Sequence, residues 1–495
     1  MNLIEGIFGA LKNRDWTGSY YGLCSLEQAL SDAPREIVEK LPQGRLIELR
    51  HHILGLAKSS MKKEECILSD GLVLCVERIA SELAEKVELL FPRTCESLSH
   101  FGSYPNDFGI QDPLIDESSV VIGVRSAGSY FAPFFTASNG MEKYYTLRIK
   151  GDGGVSTDTL ETGLLAVIRN AKTVYVVDEG PGTGKTFRET AIFIRDNNEA
   201  AQIVLVHNRP LQGVRGHSRT IYAGKKTIDE VMRSMTSNEQ GLEIHGTLSL
   251  RGYESPKVQT GAAVLKFIGY GPIGESRYND LVQLQEFYPE VLSYSDGVAL
   301  FKYVDGVTDR PNDMHLREIG RYFEAWSRLH PKRDIDNQSY LQQIQKLAGV
   351  KYGVISDFAN SINITHVLVE PDWKLEREKW RFGKERIYKF DPFHFGDFAD
   401  SPLADPVLMI AGIAVEFDLK DDDVTMIYSS TDPHLFQREK RNFLLNKVYY
   451  LLWKNYFYGY IADNLMSYAF NREHLLEHRS GLERKLNEAI SLLAS

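Results

Sequence analysis

Cysteine is scarce: the 495 residues hold four, Cys24, Cys66, Cys75 and Cys95, all within the first hundred positions. There is no C-x-x-C pair and no histidine cluster at zinc-site spacing, which points to reduced, mostly buried thiols in a cytoplasmic protein rather than a disulfide framework or a metal module. Long apolar runs are also missing. The most apolar late stretch, "FLLNKVYYLLWKNYFYGYIA" (443–462), is broken by Asn446, Lys447, Lys454 and Asn455, so an aromatic-rich core helix is expected there and no membrane span. The amino terminus, "MNLIEGIFGALKNRDW", has neither a basic leader nor a small-residue cleavage site and reads as an ordinary helix. Basic residues do not dominate: 57 Lys and Arg against 67 Asp and Glu give a net charge of -10. That balance argues against broad attraction to nucleic acid or anionic membrane, leaving small molecules or proteins as partners. No internal repeat or low-complexity tract is visible.

What is present is a chain long enough for two or three cores, with 43% hydrophobic and 25% charged residues. From about 25 to 92 apolar residues recur at three- and four-residue spacing, as in "DGLVLCVERIASELAEKVELL". From "SSVVIGVRSAG" onward short apolar runs ("VVIGV", "YYTLRIK", "TVYVV", "QIVLVHN") alternate with helical segments, the pattern of a parallel sheet flanked by helices. The segment "NRPLQGVRGHSRTIYAGKK" reads as loop and hairpin. After a boundary near "RGYESPKVQTG" come strand-like "AAVLKFIGYG", a helix from about 276, strand-like "VALFKYVDG", and then mostly helices. Three parts are expected: a helical region 1–98, an α/β domain 99–255, and an α+β domain 256–495.

The chemistry concentrates in "VYVVDEGPGTGKTF" (174–187), a strand, a small-residue loop and a helix start, which together aim backbone N–H groups and a helix dipole at one point. A Walker A loop needs its first glycine where Glu179 stands. With Asp178 and Glu179 ahead of Gly180, Gly182, Thr183, Gly184, Lys185 and Thr186, the stretch resembles instead the phosphoribosyl-pyrophosphate signature of type I phosphoribosyltransferases. The resemblance implies that the two acids are catalytic, hold the ribose hydroxyls and meet the metal through ribose or water, while the loop holds the 5′-phosphate. It further implies a pyrophosphate loop at Arg125, Ser126, Ala127, Gly128 and Ser129, and a cation from Lys150 beside the glycine-rich "GDGG". Gly182 stands where the hypoxanthine-guanine branch has an aspartate, which puts a purine acceptor in doubt.

Further on, "AAVLKF", "ALFKYVDG" and "MHLREIGRYFEAWSRLHP" resemble the small lobe, hinge and first large-lobe helix of aminoglycoside-phosphotransferase-like kinases. Lys266 matches the strand lysine that contacts nucleotide phosphates, Phe301 to Gly306 the hinge, Leu329 and His330 the family's Leu-His pair, Asp391 the metal aspartate and Asp405 a later structural acid. Ser361 and His366 fall where the family's catalytic aspartate and asparagine belong, so a pseudokinase is expected.

The fold class expected is therefore α/β: a parallel-sheet, type I phosphoribosyltransferase-like domain, preceded by a helical region and followed by a kinase-like α+β domain. The expected function is Mg²⁺-dependent ribosyl transfer from phosphoribosyl pyrophosphate to a nitrogenous acceptor, with a protein partner engaged through the helical or kinase-like region. Two alternatives stand beside it: a non-catalytic sensor of phosphoribosyl pyrophosphate or nucleotide in a regulatory, stress or defence system, and a P-loop ATPase.

Overall fold

The computed structural model describes residues 3–13, 15–32, 44–62, 70–83, 103–125, 127–150, 154–156, 160–161, 163–179, 184–208, 217–224, 226–237, 257–259, 263–304, 310–330, 333–335, 340–342, 344–345, 366–390, 403–464 and 472–494. The chain divides into two compact units. The first comprises 1–240 with the short segments 269–275 and 295–298; the second comprises 241–268, 276–294 and 299–495.

The first unit is built on five parallel strands, β1 (Ser119–Arg125), β2 (Tyr145–Arg148), β3 (Thr173–Val177), β4 (Gln202–His207) and β5 (Arg219–Tyr222), in the order β2-β1-β3-β4-β5. All seven residues of β1 are buried, as expected for a strand covered on both faces. On one face, Val120, Ile122 and Val124 of β1, Val174 and Val176 of β3, and Ile203 and Leu205 of β4 pack with Leu164 and Ile168 of one helix and Phe187, Ala191 and Ile194 of another. In chain order the helices are α1 (Leu3–Lys12), α2 (Trp16–Asp32), α3 (Gly44–Lys62), α4 (Asp70–Leu83), α5 (Gly128–Ser138), α6 (Leu164–Asn170), α7 (Lys185–Asn197) and α8 (Lys226–Ser237).

The other face belongs to α5, which is buried from Gly128 to Ala137. A helix apolar on all sides must be enclosed. The sheet encloses α5 from one side, with the Phe135 and Tyr175 rings 5.4 Å apart, and the amino-terminal helices α2 and α3 pack on it from the other. Tyr20 donates to Tyr130 O at 2.6 Å, Ser25 and Tyr130 share a hydrogen bond of 2.8 Å, and Tyr20 meets Phe134 edge-on at 5.2 Å. The helical run and the parallel sheet are thus present as expected, but "RTIY", expected as hairpin material, is the parallel edge strand β5, paired with β4 from Val204↔Arg219 to His207↔Tyr222.

The second unit begins with a four-stranded sheet of order β6-β7-β9-β8, made of β6 (Lys257–Gln259), β7 (Ala263–Phe267), β8 (Val291–Ser295) and β9 (Val298–Lys302), with helix α9 (Pro272–Gln283) between β7 and β8 in sequence. Asp296 and Gly297 join β8 to β9 with φ of 46° and 84°. Positive φ at both central residues is the Asp-Gly hairpin turn that matches strand twist. Then follow α10 (Asp313–Leu329), β10 (Arg333–Ile335), β11 (His366–Leu368), β12 (Trp380–Phe382), β13 (Ile387–Lys389), α11 (Val407–Phe417), α12 (Asp421–Tyr428), α13 (Lys440–Asn464) and α14 (Arg472–Ala494). A capping box starts α10: Asn312 Oδ1 accepts His315 N at 3.0 Å, and His315 Nδ1 accepts Asn312 N at 3.2 Å. Helix α13 is the aromatic-rich core helix expected, with Leu445, Val448, Tyr449, Tyr450, Leu451 and Leu452 buried. Among the described residues no helix is long and apolar enough to cross a membrane.

Candidate functional site

In the first unit the chain runs from β1 outward to β2, then returns past β1 to β3, β4 and β5. The crevice at the carboxyl ends of β1 and β3 is therefore the topological switch point, where doubly wound sheets bind ligands. Two glycines bring its walls together: a Cβ on Gly123 would lie 2.5 Å from Gly128 O, and one on Gly128 2.5 Å from Val177 O. Ala127, Gly128 and Ser129, all buried, thus enter α5 directly against the end of β3.

On the β3 side, Asp178 N donates to Val206 O at 3.1 Å and Asp178 Oδ1 accepts Glu179 N at 2.9 Å, leaving two half-buried acids side by side. Gly184, at φ 70°, precedes α7, whose first residues Lys185 and Thr186 are half-buried. Left-handed backbone there suits glycine and turns the chain into the helix. Asn208, just past β4, is buried. Ser126, Gly180, Gly182 and Thr183 lie outside the described residues. A cleft of about 950 Å³ lies at the opposite, amino-terminal edge of these strands, lined by residues such as Ser118, Asn139 and Asn170. It is remote from the acids, whereas ligand sites of doubly wound sheets lie at the carboxyl edge.

Arg125 is placed differently from what the phosphate reading requires. Arg125 is 8% exposed, and its guanidinium donates to Ser31 O at 2.8 Å, Thr146 Oγ1 at 3.0 Å and Thr146 O at 3.4 Å. It is a tie between α2 and β2. Beside it Arg50 donates to Glu27 at 2.5 and 2.9 Å, to Thr146 Oγ1 at 2.8 Å and to Glu161. Burial works against the Arg50 charge, yet Glu27 and Glu161 outweigh it and hold its pKa above the ordinary value. Lys150 is exposed, and its N donates to Gly154 O at 3.0 Å beside the antiparallel bridge Ile149↔Val155.

In the second unit Lys266 lies on β7, opposite Lys257 of β6, and is 7% exposed. A lysine that deep in a sheet is uncommon unless an anion accompanies it. Asp391 and Ser361 lie outside the described residues, and His366 opens β11. Immediately before Asp391 the backbone is fixed: Phe390 N donates to Lys379 O at 2.7 Å, and Lys389 is locked inside. Lys389 Nζ stands 3.1 Å from Asp372 Oδ2, with both side chains fully buried, and donates to Lys374 O at 2.6 Å. Asp372 also accepts Tyr322 OH and Lys374 N, at 2.8 and 2.9 Å. Burial pushes the Asp372 carboxyl up, against the pull of Lys389. Asp405 is likewise internal, accepting Val407 N at 2.8 Å and Asn442 Nδ2 at 3.1 Å. The Asp372–Lys389 pair was not foreseen; its signal was a lysine inside the apolar strand "IYKF".

Comparison with protein-family models gives no match, and comparison with curated proteins gives none either. Among solved structures, the chain is similar to a choline/ethanolamine kinase family protein from Mesorhizobium loti, at 14% identity over 54% of this chain and 99% of that one, with a TM-score of 0.35. It is similar to the choline kinase LicA from Streptococcus pneumoniae at 11% identity, covering 54% of this chain and 99% of that one, TM-score 0.34. A spectinomycin phosphotransferase bound to AMP matches at 12% identity over 54% of this chain and 97% of that one, TM-score 0.35. These findings correct the functional expectation. The similar structures are kinases and phosphotransferases, against the expectation of a phosphoribosyltransferase that transfers ribose phosphate from phosphoribosyl pyrophosphate to a nitrogenous acceptor. The side-chain geometry agrees: the implied pyrophosphate arginine, Arg125, spends its donors on Ser31 and Thr146. The mixed α/β character and the parallel sheet stand, but strand order β2-β1-β3-β4-β5 is common to doubly wound folds and singles out no phosphoribosyltransferase.

Proposed function

We propose that the second unit is a kinase-like module that binds a nucleoside triphosphate together with Mg²⁺. The observation that carries this reading is Lys266, a buried lysine on the inner strand β7 of a four-stranded sheet, with a helix between that strand and the next in sequence. Kinases place their phosphate-contacting lysine on such a strand, and a metal aspartate after a later strand. Here Asp391 takes the second role, directly after the β12–β13 hairpin whose register runs from Trp380↔Lys389 to Phe382↔Ile387. Magnesium suits an aspartate oxygen combined with phosphate oxygens and water.

Phosphoryl transfer itself is slow or absent in this reading, because Ser361 occupies the position of the catalytic aspartate. Asp372 does not replace it, being fully buried and engaged by Lys389, Tyr322 and Lys374 N. In the first unit the carboxyl edge of β1 and β3 offers Asp178, Glu179, Lys185 and Thr186 as contacts for a small polar ligand. We place the protein in the cytoplasm, where the buried thiols Cys24 and Cys75 stay reduced.

The test is thermal denaturation of the full chain with ATP and Mg²⁺, on wild type and Lys266→Ala. At a ligand concentration a hundred times Kd, binding stabilises the fold by about 2.7 kcal/mol. Stabilisation of wild type that is lost in Lys266→Ala, with little ADP formed, is expected. No stabilisation by ATP, or equal stabilisation of both proteins, overturns the reading.

A further inference from the structure

Away from both sites, three side chains that can ligate a metal converge in the first unit. Glu48 and His52 stand four residues apart on α3, and so on one face of it; Cys75 comes from α4, which packs against α3. A carboxylate oxygen of Glu48, a ring nitrogen of His52 and the sulfur of Cys75 all lie within 4.8 Å of one another. In a tetrahedral site with bonds of about 2.0–2.3 Å, ligand atoms sit roughly 3.5 Å apart. The closure needed is about an ångström, within the reach of side-chain rotation.

We propose that Glu48, His52 and Cys75 form a binding site for a borderline-soft divalent transition metal of the zinc type, with a fourth position open to water. The donor set selects the metal. Oxygen, imidazole nitrogen and thiolate sulfur together suit zinc or cobalt, whereas magnesium and calcium take oxygen alone. The site is thus chemically distinct from a magnesium–phosphate site. Burial is graded in the same sense, with Cys75 inside and Glu48 and His52 half-buried, so an ion reaches the thiol from the solvent side.

The surroundings support ligation. Arg45 Nη1 holds Glu48 Oε2 at 3.0 Å, the kind of outer partner that orients a ligating carboxylate. Burial holds the His52 imidazole below its ordinary value, with Glu48 opposing that and His51 adding to it. The His51 ring centroid lies 6.4 Å from that of His52, and His51 is not one of the three converging donors. On binding, the Cys75 thiol gives up its proton to solvent and its sulfur bonds to the ion, so affinity rises with pH.

The experiment is titration of chelator-treated full-length protein with Co²⁺. One equivalent should produce a thiolate-to-cobalt charge-transfer absorption in the near ultraviolet, release about one proton per ion near pH 7, and be displaced by Zn²⁺. Cys75→Ser should abolish the absorption, and His52→Gln and Glu48→Gln should each weaken binding at least tenfold. His52 and Glu48 are half-buried on a helix face, so those two variants carry the test should the buried Cys75→Ser misfold. No saturable absorption in wild type, an absorption that survives in folded Cys75→Ser, or unchanged affinity in both helix variants would overturn the proposal.

Discussion

Arg50→Met should destabilise the first unit selectively. Arg50 is 6% exposed and its guanidinium serves Glu27, Thr146 and Glu161, joining α3, α2, β2 and the segment before α6. Methionine fills most of the aliphatic volume but leaves the fully buried Glu27 carboxylate with Ser31 Oγ and Thr146 Oγ1 as its remaining donors, at 3.1 and 3.2 Å. Removing one partner of a buried ion pair costs about 3–5 kcal/mol, because the other charge stays desolvated. A domain is stable by only about 5–15 kcal/mol, so a large share of the unit's stability goes. The double change Arg50→Met with Glu27→Leu should recover most of the loss, since an apolar replacement of a whole pair is close to neutral.

The distribution of tryptophan supplies the control. Trp16 belongs to the first unit, while Trp326, Trp373, Trp380 and Trp453 belong to the second. Urea denaturation followed by tryptophan fluorescence therefore weighs the second unit, and hydrogen exchange on peptides from β1, β3 and α5 reads the first. The expected result is a fluorescence midpoint little changed and exchange protection in the first unit reduced by about 3–5 kcal/mol in the single variant. A cost under about 1 kcal/mol, or no recovery in the double variant, would refute the claim that this charge network holds the amino-terminal helices to the sheet.

Gly123→Ala should lower the melting temperature of the first unit, because its Cβ would lie 2.5 Å from the backbone oxygen of Gly128, which cannot swing aside. Overpacking of this kind costs about 1–3 kcal/mol, and a calorimetric scan of wild type and variant checks it. His330 should govern part of the acid sensitivity of the second unit. Burial holds its imidazole down at about 4, against an ordinary 6.5, while its ring stacks on Trp326 at 4.2 Å. A depressed folded pKa means stability fully present above pH 6.5 and lost as pH falls through about 4. His330→Phe should remove that loss, up to on the order of 3 kcal/mol by the linkage relation, and an equal fall in denaturation midpoint from pH 7 to pH 4 in wild type and variant would refute it.

The strands of the first sheet were legible because each is a short apolar run bounded by helical spacing; "VVIGV" and "TVYVV" became β1 and β3 with every valine and isoleucine buried. Strand β5 was not, since an edge strand pairs on one side only, and "RTIY" alternates half-buried with exposed residues. The β8–β9 hairpin could have been found from Asp296-Gly297, a strong turn signal between "VLSYS" and "VALFK". Nothing in the chain order predicts the meeting of Glu48, His52 and Cys75, because the thiol arrives from a second helix 23 positions beyond the histidine.

Arg125 illustrates why a motif is weaker than its neighbourhood. An arginine leaving a strand at a switch point is well placed for an anion, and sequence alone offers no rival for its five donors. The rival is created by tertiary structure. Helix α5 is apolar on every side, so the parallel sheet with its own crossover helices leaves Tyr130, Phe131 and Phe134 in need of a cover. Helices α2 and α3 supply that cover, and with them arrive the backbone oxygen of Ser31 and the carboxylate of Glu27. Once those acceptors are buried beside β1 and β2, leaving them without donors costs more than any surface interaction returns. Arg125 and Arg50 satisfy them, and the residue that resembled a ligand contact becomes the bond between the helical region and the sheet.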